Sequence, residues 1–416
     1  MKQTLLVFSL LFSIFTARSQ DFIITKYDIK PDSTKLNTVA IQRVIDQAAA
    51  QGGGTIVIPR GTFLSGALFF KPKTKLKLLE GAVLKGSDDI KDYPLLPSRM
   101  EGQNLDYYAA LVNAYKVDEF SITGPGSING NGLKFWKAFW ANREAKAKLK
   151  QPSTNLEVHR PRLVFIWGCN DVVIRDVKMH NSGFWTTHLY QCRNVLMENC
   201  DIRSPFRPVK APSTDGVDID VCSKVTIRNC YISVNDDAVC IKGGKGPTAQ
   251  QLPGNGIVED ILVENCSFGP SHSTLTLGSE SIHARNITIR NCKVANTCPI
   301  LRLKMRPDTY QLFENITVDN ITGSCGSVIL INPWKQFFDL KGSTEKPFGT
   351  IKNITISNVN VKAESFGTIE GNPNDTLSNF VFKNVTVTTK SPVLQNKYKD
   401  VKVENVTVNG SPLRMN

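Results

Sequence analysis

The chain has 416 residues, ten cysteines, 41% hydrophobic residues and a formal net charge of +13. That length allows two or three ordinary domains or one elongated repeat protein, whose size no single core limits. The basic excess favours a polyanionic partner, and no window beyond the amino terminus reaches ~18 consecutive apolar residues, which excludes a membrane-spanning helix there.

In chain order, Met1-Lys2-Gln3 is a short basic start, Thr4 to Phe15 is apolar, and Ala17-Arg18-Ser19 supplies small residues at the spacing of a cleavage site. This predicts an export signal over residues 1–19 and a mature domain over 20–416. The expected location is therefore the periplasm or the cell exterior, where nucleic acid is the least plausible polyanion. No membrane partner is expected, and the chain is expected to act as a monomer. Asn37 to Ala50 carries Val39, Ile41, Val44, Ile45 and Ala48 on one broad apolar face, with Asn37 as N-cap and Gly52 to Gly54 as a stop. It predicts a helix that covers the N-terminal opening of whatever follows. Gly53 to Pro59 and Leu76 to Leu84 read as the first strands, and Gly124-Pro-Gly126 and Gly130-Asn-Gly132 as corners.

From residue 170 onward an eight-residue phrase recurs nine times, for example Ser223-Lys-Val-Thr-Ile-Arg-Asn-Cys230 and Arg285-Asn-Ile-Thr-Ile-Arg-Asn-Cys292, at steps of 21 to 38 residues. Each copy alternates apolar and polar residues with the two-residue period of a half-buried strand. With no helical stretch between copies, each copy means one turn of a solenoid. The expected fold is all-β, a single-stranded parallel β-helix with an N-terminal capping helix. Cys200, Cys230, Cys266 and Cys292 fill the eighth position, where Val or Ile stands in other copies, so they are read as stacked interior hydrophobes rather than disulfides. The recurrent Asn at the seventh position suggests a side-chain ladder at a turn, which also accounts for sequons such as Asn286-Ile-Thr288.

Asp236 and Asp237 lie six and seven residues beyond Cys230, and His272 lies six beyond Cys266. Ser213-Thr-Asp215-Gly-Val-Asp218-Ile219 aligns with Asn235 to Ile241, and the coil after His272 carries Arg302 and Lys304. Because parallel strands stack ~4.8 Å apart, such groups are expected to form one row across four coils. Crowded carboxyls keep one acid protonated while another stays ionised, which suits the acid and base of glycoside hydrolysis. Arg302 and Lys304 suit the carboxylate of a uronic acid, and His272 can tune the acids or hold a sugar hydroxyl.

The motifs Ser213-Thr-Asp215, Asp236-Asp237, Ser271-His272-Ser273 with Gly278-Ser-Glu280, and Arg302-Leu-Lys304 resemble the signature of glycoside hydrolase family 28, the polygalacturonases and related pectin hydrolases. The N-terminal Gly-Gly-Thr-Ile-Val-Ile-Pro59 segment and Asn181 to His188 extend the resemblance over nearly the whole mature chain. It implies a right-handed β-helix that hydrolyses α-galacturonosyl bonds of an acidic plant polysaccharide with inversion and without a metal or other cofactor. It further implies Asp236 as general acid, Asp215 and Asp237 positioning and deprotonating the water, His272 supporting the acid, and Arg302 with Lys304 holding galacturonate. Ser213 replaces an Asn of the family pattern, and serines replace both glycines around His272, so the pocket differs from that of the common endo-acting members.

Loop Gly243 to Gly256 is a candidate wall for exo action. Phe135 to Trp140 with the basic run Arg143 to Lys150 reads as a solvated amphipathic helix or a sugar-stacking rim, and Trp334 is a further candidate for the cleft. Three other functions remain open: a rhamnogalacturonan-directed hydrolase of the same family, a Ca²⁺-dependent pectate lyase, and a non-catalytic polysaccharide-binding β-helix.

Overall fold

The computed structural model of the chain describes residues 20–398 and 400–416, so the export signal read over residues 1–19 lies outside the described residues. The described chain winds as a right-handed parallel β-helix. Each central coil gives a strand to each of three parallel ladders. One coil is Val217–Asp220, Ser223–Arg228 and Tyr231–Ser233; the next begins with Asp237–Lys242 and Ile257–Glu264.

All nine phrases stand one upon another. Asn170 pairs with Arg193, then Ser223, Glu259, Arg285, Glu314, Lys352 and Ser378, and Phe380 continues to Val401. In the first eight copies the third, fifth and eighth residues point inward, as Val225, Ile227 and Cys230 do, and they are buried in one continuous core; in the last copy only Val406 is, and Val403 is exposed. All ten cysteines are free thiols, and the four of the eighth position lie in that core.

The asparagines have a backbone cause. In the first eight copies both the second and the seventh residue adopt φ between 51° and 63°, the left-handed region in which Asn and Asp are the favoured side-chain-bearing residues. Two ladders result, where the sequence suggested one. Asn353 Nδ2 donates to Asn315 Oδ1 at 2.9 Å, and Asn379 Nδ2 donates to Asn353 Oδ1 at 2.8 Å. Asn353→Ala therefore removes two rungs and leaves a Cβ residue at φ 62°. A loss of about 2 kcal/mol is expected, read as a lowered midpoint in thermal melts.

Helix α1, Thr38–Ala50, closes the N-terminal end and buries Ile41, Val44, Ile45 and Ala48. Two details differ from the expectation. Val39 is exposed, because it falls outside the arc that meets the first coils. Asn37 sits at the N-cap, but its side chain donates to Lys35 O at 2.9 Å instead of accepting from the helix. Excursions from the coils build up one side: the antiparallel hairpin Leu95–Met100 and Gln103–Tyr108, helix α2 over Leu133–Lys148, and loops 204–213 and 243–256.

Candidate active site

The coil register brings the predicted acids together. Val217 pairs with Val239, Gly216 N donates to Asp237 O at 3.0 Å, and Asp237 pairs with Ser273. His272 N donates to Asp236 O at 2.9 Å. Asp215, the Asp236–Asp237 pair and His272 thus stand level on three consecutive coils. Arg302 and Lys304 do not share that row. Arg302 is in register with Thr276 and Cys240, further along the strand, and Lys304 follows two residues later. Only a long side chain lets Lys304 reach back to Asp237, Nζ to Oδ2 at 2.7 Å.

The three acids occupy unlike surroundings. Asp237 is buried and accepts from Ser273 Oγ at 2.8 Å. Burial works against its charge, but Lys304 and Arg302 outweigh burial and hold it well below the usual carboxylate range. Asp215 is also buried and makes no ion pair, the charge of Lys242 offsetting only part of the penalty. Burial, then the charge of Asp236, pushes its carboxyl well above the ordinary value. Asp236 is the accessible one, its side chain 28% exposed, with Oδ1 3.4 Å from Nδ1 of His272. The cluster therefore sets a carboxyl held low at Asp237 beside one pushed up at Asp215, the kind of split that crowded carboxyls were expected to show.

Behind them lies a fourth carboxyl. Asp218 is fully buried, both its oxygens lack a hydrogen-bond partner, and burial, only partly offset by Lys242, pushes it up to about 8. Lys242 Nζ lies 3.5 Å from Asp218 Oδ1, 3.0 Å from Glu280 Oε2 and 4.6 Å from the Trp185 ring centre.

The acids open into a cavity of about 290 Å³ whose lining includes Trp140, Arg143, Lys210, Glu280, Arg302 and Trp334. Trp334 carries both cations on its ring, Arg302 and Lys304 each 5.0 Å from its centre. Helix α2 is both amphipathic and a rim: Phe135, Trp136 and Phe139 are buried, while Trp140 and Arg143 face the cavity. Trp140 Nε1 donates to Lys210 O at 2.7 Å, and Lys210 Nζ lies 3.2 Å from His272 Nε2.

One end of the cavity is walled by the tip of the hairpin. Glu101 and Gly102 form its two-residue turn with φ of 46° and 71°, the primed geometry that matches strand twist. Gly102 fits there because an added Cβ would stand 2.7 Å from Glu280 Cβ. Loop 243–256 does not itself line the cavity; it braces this wall. Lys245 Nζ lies 3.3 Å from Glu101 Oε2, Arg99 Nη1 donates to Asn255 Oδ1 at 2.6 Å, and Asn155 Nδ2 donates to Glu101 Oε1 at 3.2 Å. The serine in place of the family's Asn is also accounted for. Ser213 adopts φ 53° and accepts from buried Arg160, which donates to Pro212 O at 2.5 Å and so fixes the approach to Asp215.

Sequence reasoning missed Lys210, Glu101 and Lys242, and had Arg143 only as the start of a basic run on a candidate rim. Lys210 and Glu101 reach the cavity from excursions outside the repeat, where no periodicity marks them. Lys242 did carry a signal, since it lies two residues beyond Cys240 in the strand that follows Asp237.

Asp215, Asp237 and Cys240 place one ligand-type atom each within 4.8 Å of one another. The set suits a cation poorly. The Lys304 ammonium already occupies Asp237, and burial pushes both the Cys240 thiol and the Asp215 carboxyl up, against the deprotonated forms a metal ion needs.

Comparison with known proteins agrees with this geometry. The family model for glycosyl hydrolases family 28 matches residues 49–412. A probable polygalacturonase of Vitis vinifera is 25% identical over 398 residues, covering 90% of this chain and 76% of its own. An exo-poly-alpha-D-galacturonosidase of Dickeya chrysanthemi is 26% identical, covering 92% and 70% respectively. The solved hyperthermoactive exopolygalacturonase of Thermotoga maritima superposes with a TM-score of 0.78 at 23% identity, over 95% of this chain and 93% of that one. With the family model spanning most of its length, the chain belongs to glycosyl hydrolase family 28 and is a glycoside hydrolase.

Proposed function

We propose that the enzyme removes galacturonate from the ends of pectic chains by a single inverting displacement. Asp236, the most accessible of the three acids, protonates the departing glycosidic oxygen. Asp237, kept ionised by Lys304, takes the proton of the attacking water. Asp215 lies within 4.8 Å of Asp237 and, with its carboxyl pushed up by burial and by the charge of Asp236, orients that water rather than deprotonating it, a narrower role than the shared base the family resemblance implies. His272 holds Asp236 on its open side. Arg302 binds the uronate, while the charge of Lys304 is already engaged by Asp237. The observation that carries this reading is the unequal trio at the floor of one cavity: Asp237 paired with Lys304, Asp215 buried without an ion pair, and Asp236 accessible beside His272, as acid–base hydrolysis requires.

Exo action is supported by the size of the cavity, at the low end of the ~300–1,000 Å³ usual for small-ligand sites, and by the Glu101–Lys245 wall. The leader-like first 19 residues suit delivery to the compartment where such polymers occur. Incubation with polygalacturonic acid and rhamnogalacturonan side by side tests the reading. Early release of monogalacturonate, observed by NMR as the inverted anomer, is expected from the first polymer. Long oligomers, the retained anomer or unsaturated ends would each refute a part of it.

Lys304→Met gives a pH test. With the ammonium gone, burial is no longer outweighed and the Asp237 carboxyl rises, so the base is lost as the pH falls. The acid limb of the kcat–pH profile is expected to move up by about 1–3 units, the usual effect of a neighbouring opposite charge.

A further inference from the structure

The sheet that carries Asp215 continues toward the amino terminus through Thr187–Tyr190, Val164–Trp167, Val112–Tyr115 and Leu68–Phe70, one strand per coil. Its outward face there is aromatic. Phe165 and Tyr190 are buried, Tyr115 and Trp167 pack against them while staying half-exposed, and half-exposed Phe69 continues the strip. Ring centres lie 6.1 Å apart from Phe69 to Tyr115 and 5.9 Å apart from Tyr115 to Trp167. None of these three outer rings lines the catalytic cavity. The hairpin and loop 243–256 close the strip at its far end, where Tyr190 Oη donates to Gly254 O at 2.9 Å and to Asn104 Oδ1 at 3.4 Å.

Polar groups border the rings. Gln42 of α1 donates from Nε2 to Phe69 O at 2.9 Å, and Trp167 Nε1 donates to Gln191 Oε1 at 3.0 Å. Lys71 follows Phe69 by two residues. The stem of Lys116 lies against Gly168, beside Trp167, where an added Cβ would stand 3.4 Å from Lys116 Cγ. Both lysines are exposed, and among the described residues neither has a carboxylate within the 4.0 Å of an ion pair. Exposed apolar surface rimmed by polar groups marks a binding surface. Aromatic faces take the C–H faces of sugar rings, amides take hydroxyls, and free lysines take carboxylates. A row one ring wide falls short of the ~800 Å² that each side of a stable protein interface covers, but it matches a single extended chain.

We propose that Phe69, Tyr115 and Trp167, with Lys71 and Lys116, form a non-catalytic strip that binds an acidic polysaccharide and tethers the enzyme to polymer while the cavity works on a chain end. The polymer, galacturonan, is taken from the galacturonate-hydrolase reading above; the strip itself stands on other residues. A second foothold on one polymer makes capture of the next chain end partly intramolecular, an advantage that a trimer held in the cavity cannot gain.

Electrophoresis through native gels with and without polygalacturonate reads the binding, and KM for polygalacturonate against trigalacturonate reads its effect. Trp167→Ala and Tyr115→Ala are expected to weaken retardation and to raise KM on the polymer about tenfold, leaving kcat and KM on the trimer unmoved. Lys116→Met should weaken retardation by polygalacturonate but not by its methyl ester. An unmoved polymer KM, or an equal loss on polymer and trimer, overturns the strip. A protein that cleaves no galacturonan yet is retarded through Trp167 refutes the proposed function and leaves the strip standing. A dimer that Trp167→Ala abolishes, without retardation by the polymer, gives the surface to a second copy of the chain and overturns the proposal. Should the ring variants not fold, exposed Lys116 decides by itself.

Discussion

Replacing Asp236 by Asn is expected to lower kcat about 10²–10⁴-fold, the usual contribution of a positioned acid, while oligogalacturonate still binds. The amide keeps the shape and the contact with His272 but has no proton of the right acidity to give. Calorimetry on the variant should therefore show an affinity near that of the wild type while turnover is lost. The companion substitutions separate the other two acids. Burial pushes the Asp215 carboxyl up and it makes no ion pair, so the penalty of Asp215→Asn should be smaller than that of Asp237→Asn, which removes the ionised base and strands the Lys304 ammonium at the same time. Equal penalties at Asp215 and Asp237 would mean that both deprotonate the water.

The largest expected effect on stability lies outside the catalytic row. Arg99 is buried and donates from Nε to Asp220 Oδ2 at 2.9 Å, tying the hairpin that carries Glu101 to the strand that follows Asp215. Burial opposes the Asp220 charge, but Arg99 and then His188 outweigh it and lower the pKa. Arg99→Met leaves that carboxylate buried with His188 alone, and burial pushes His188 down to about 4, so it brings no charge at neutral pH. A loss of about 3–5 kcal/mol is expected at pH 7, as when one partner of a buried pair is removed. The sign with pH follows from the depressed pKa. The wild-type stabilisation is present above the unfolded carboxyl value of about 3.9 and fades as the pH falls through the folded value. In the variant the carboxyl can instead take a proton on folding. The gap between the two melting midpoints should thus narrow from pH 7 toward pH 4; a gap independent of pH would show that Asp220 is not the cause.

The repeat made the fold legible because a solenoid is local: each coil needs only its own alternation and its two neighbours. Phrases such as Arg285 to Cys292 carry both the inward residues and the corner asparagines in eight letters. Counting from the cysteines also placed Asp236 against His272, since equal offsets along a parallel ladder become lateral contacts. The expected row did not extend to Arg302 and Lys304. They stand in other columns, and their contact with the site depends on side-chain reach, which spacing does not encode.

What the sequence determined alone was the stack, and with it the meeting of Asp215, Asp236, Asp237 and His272, because register propagates from coil to coil through backbone hydrogen bonds. The tertiary structure decided how the acids differ and what surrounds them. Burial without an ion pair pushes the Asp215 carboxyl up, and contact with Lys304 holds that of Asp237 down. Non-repeating excursions, folded back over a hundred residues or more from their contacts, bring Glu101 to Lys245 and Arg99 to Asp220. Those differences arise from desolvation and distance in space, quantities that exist only once the chain is closed.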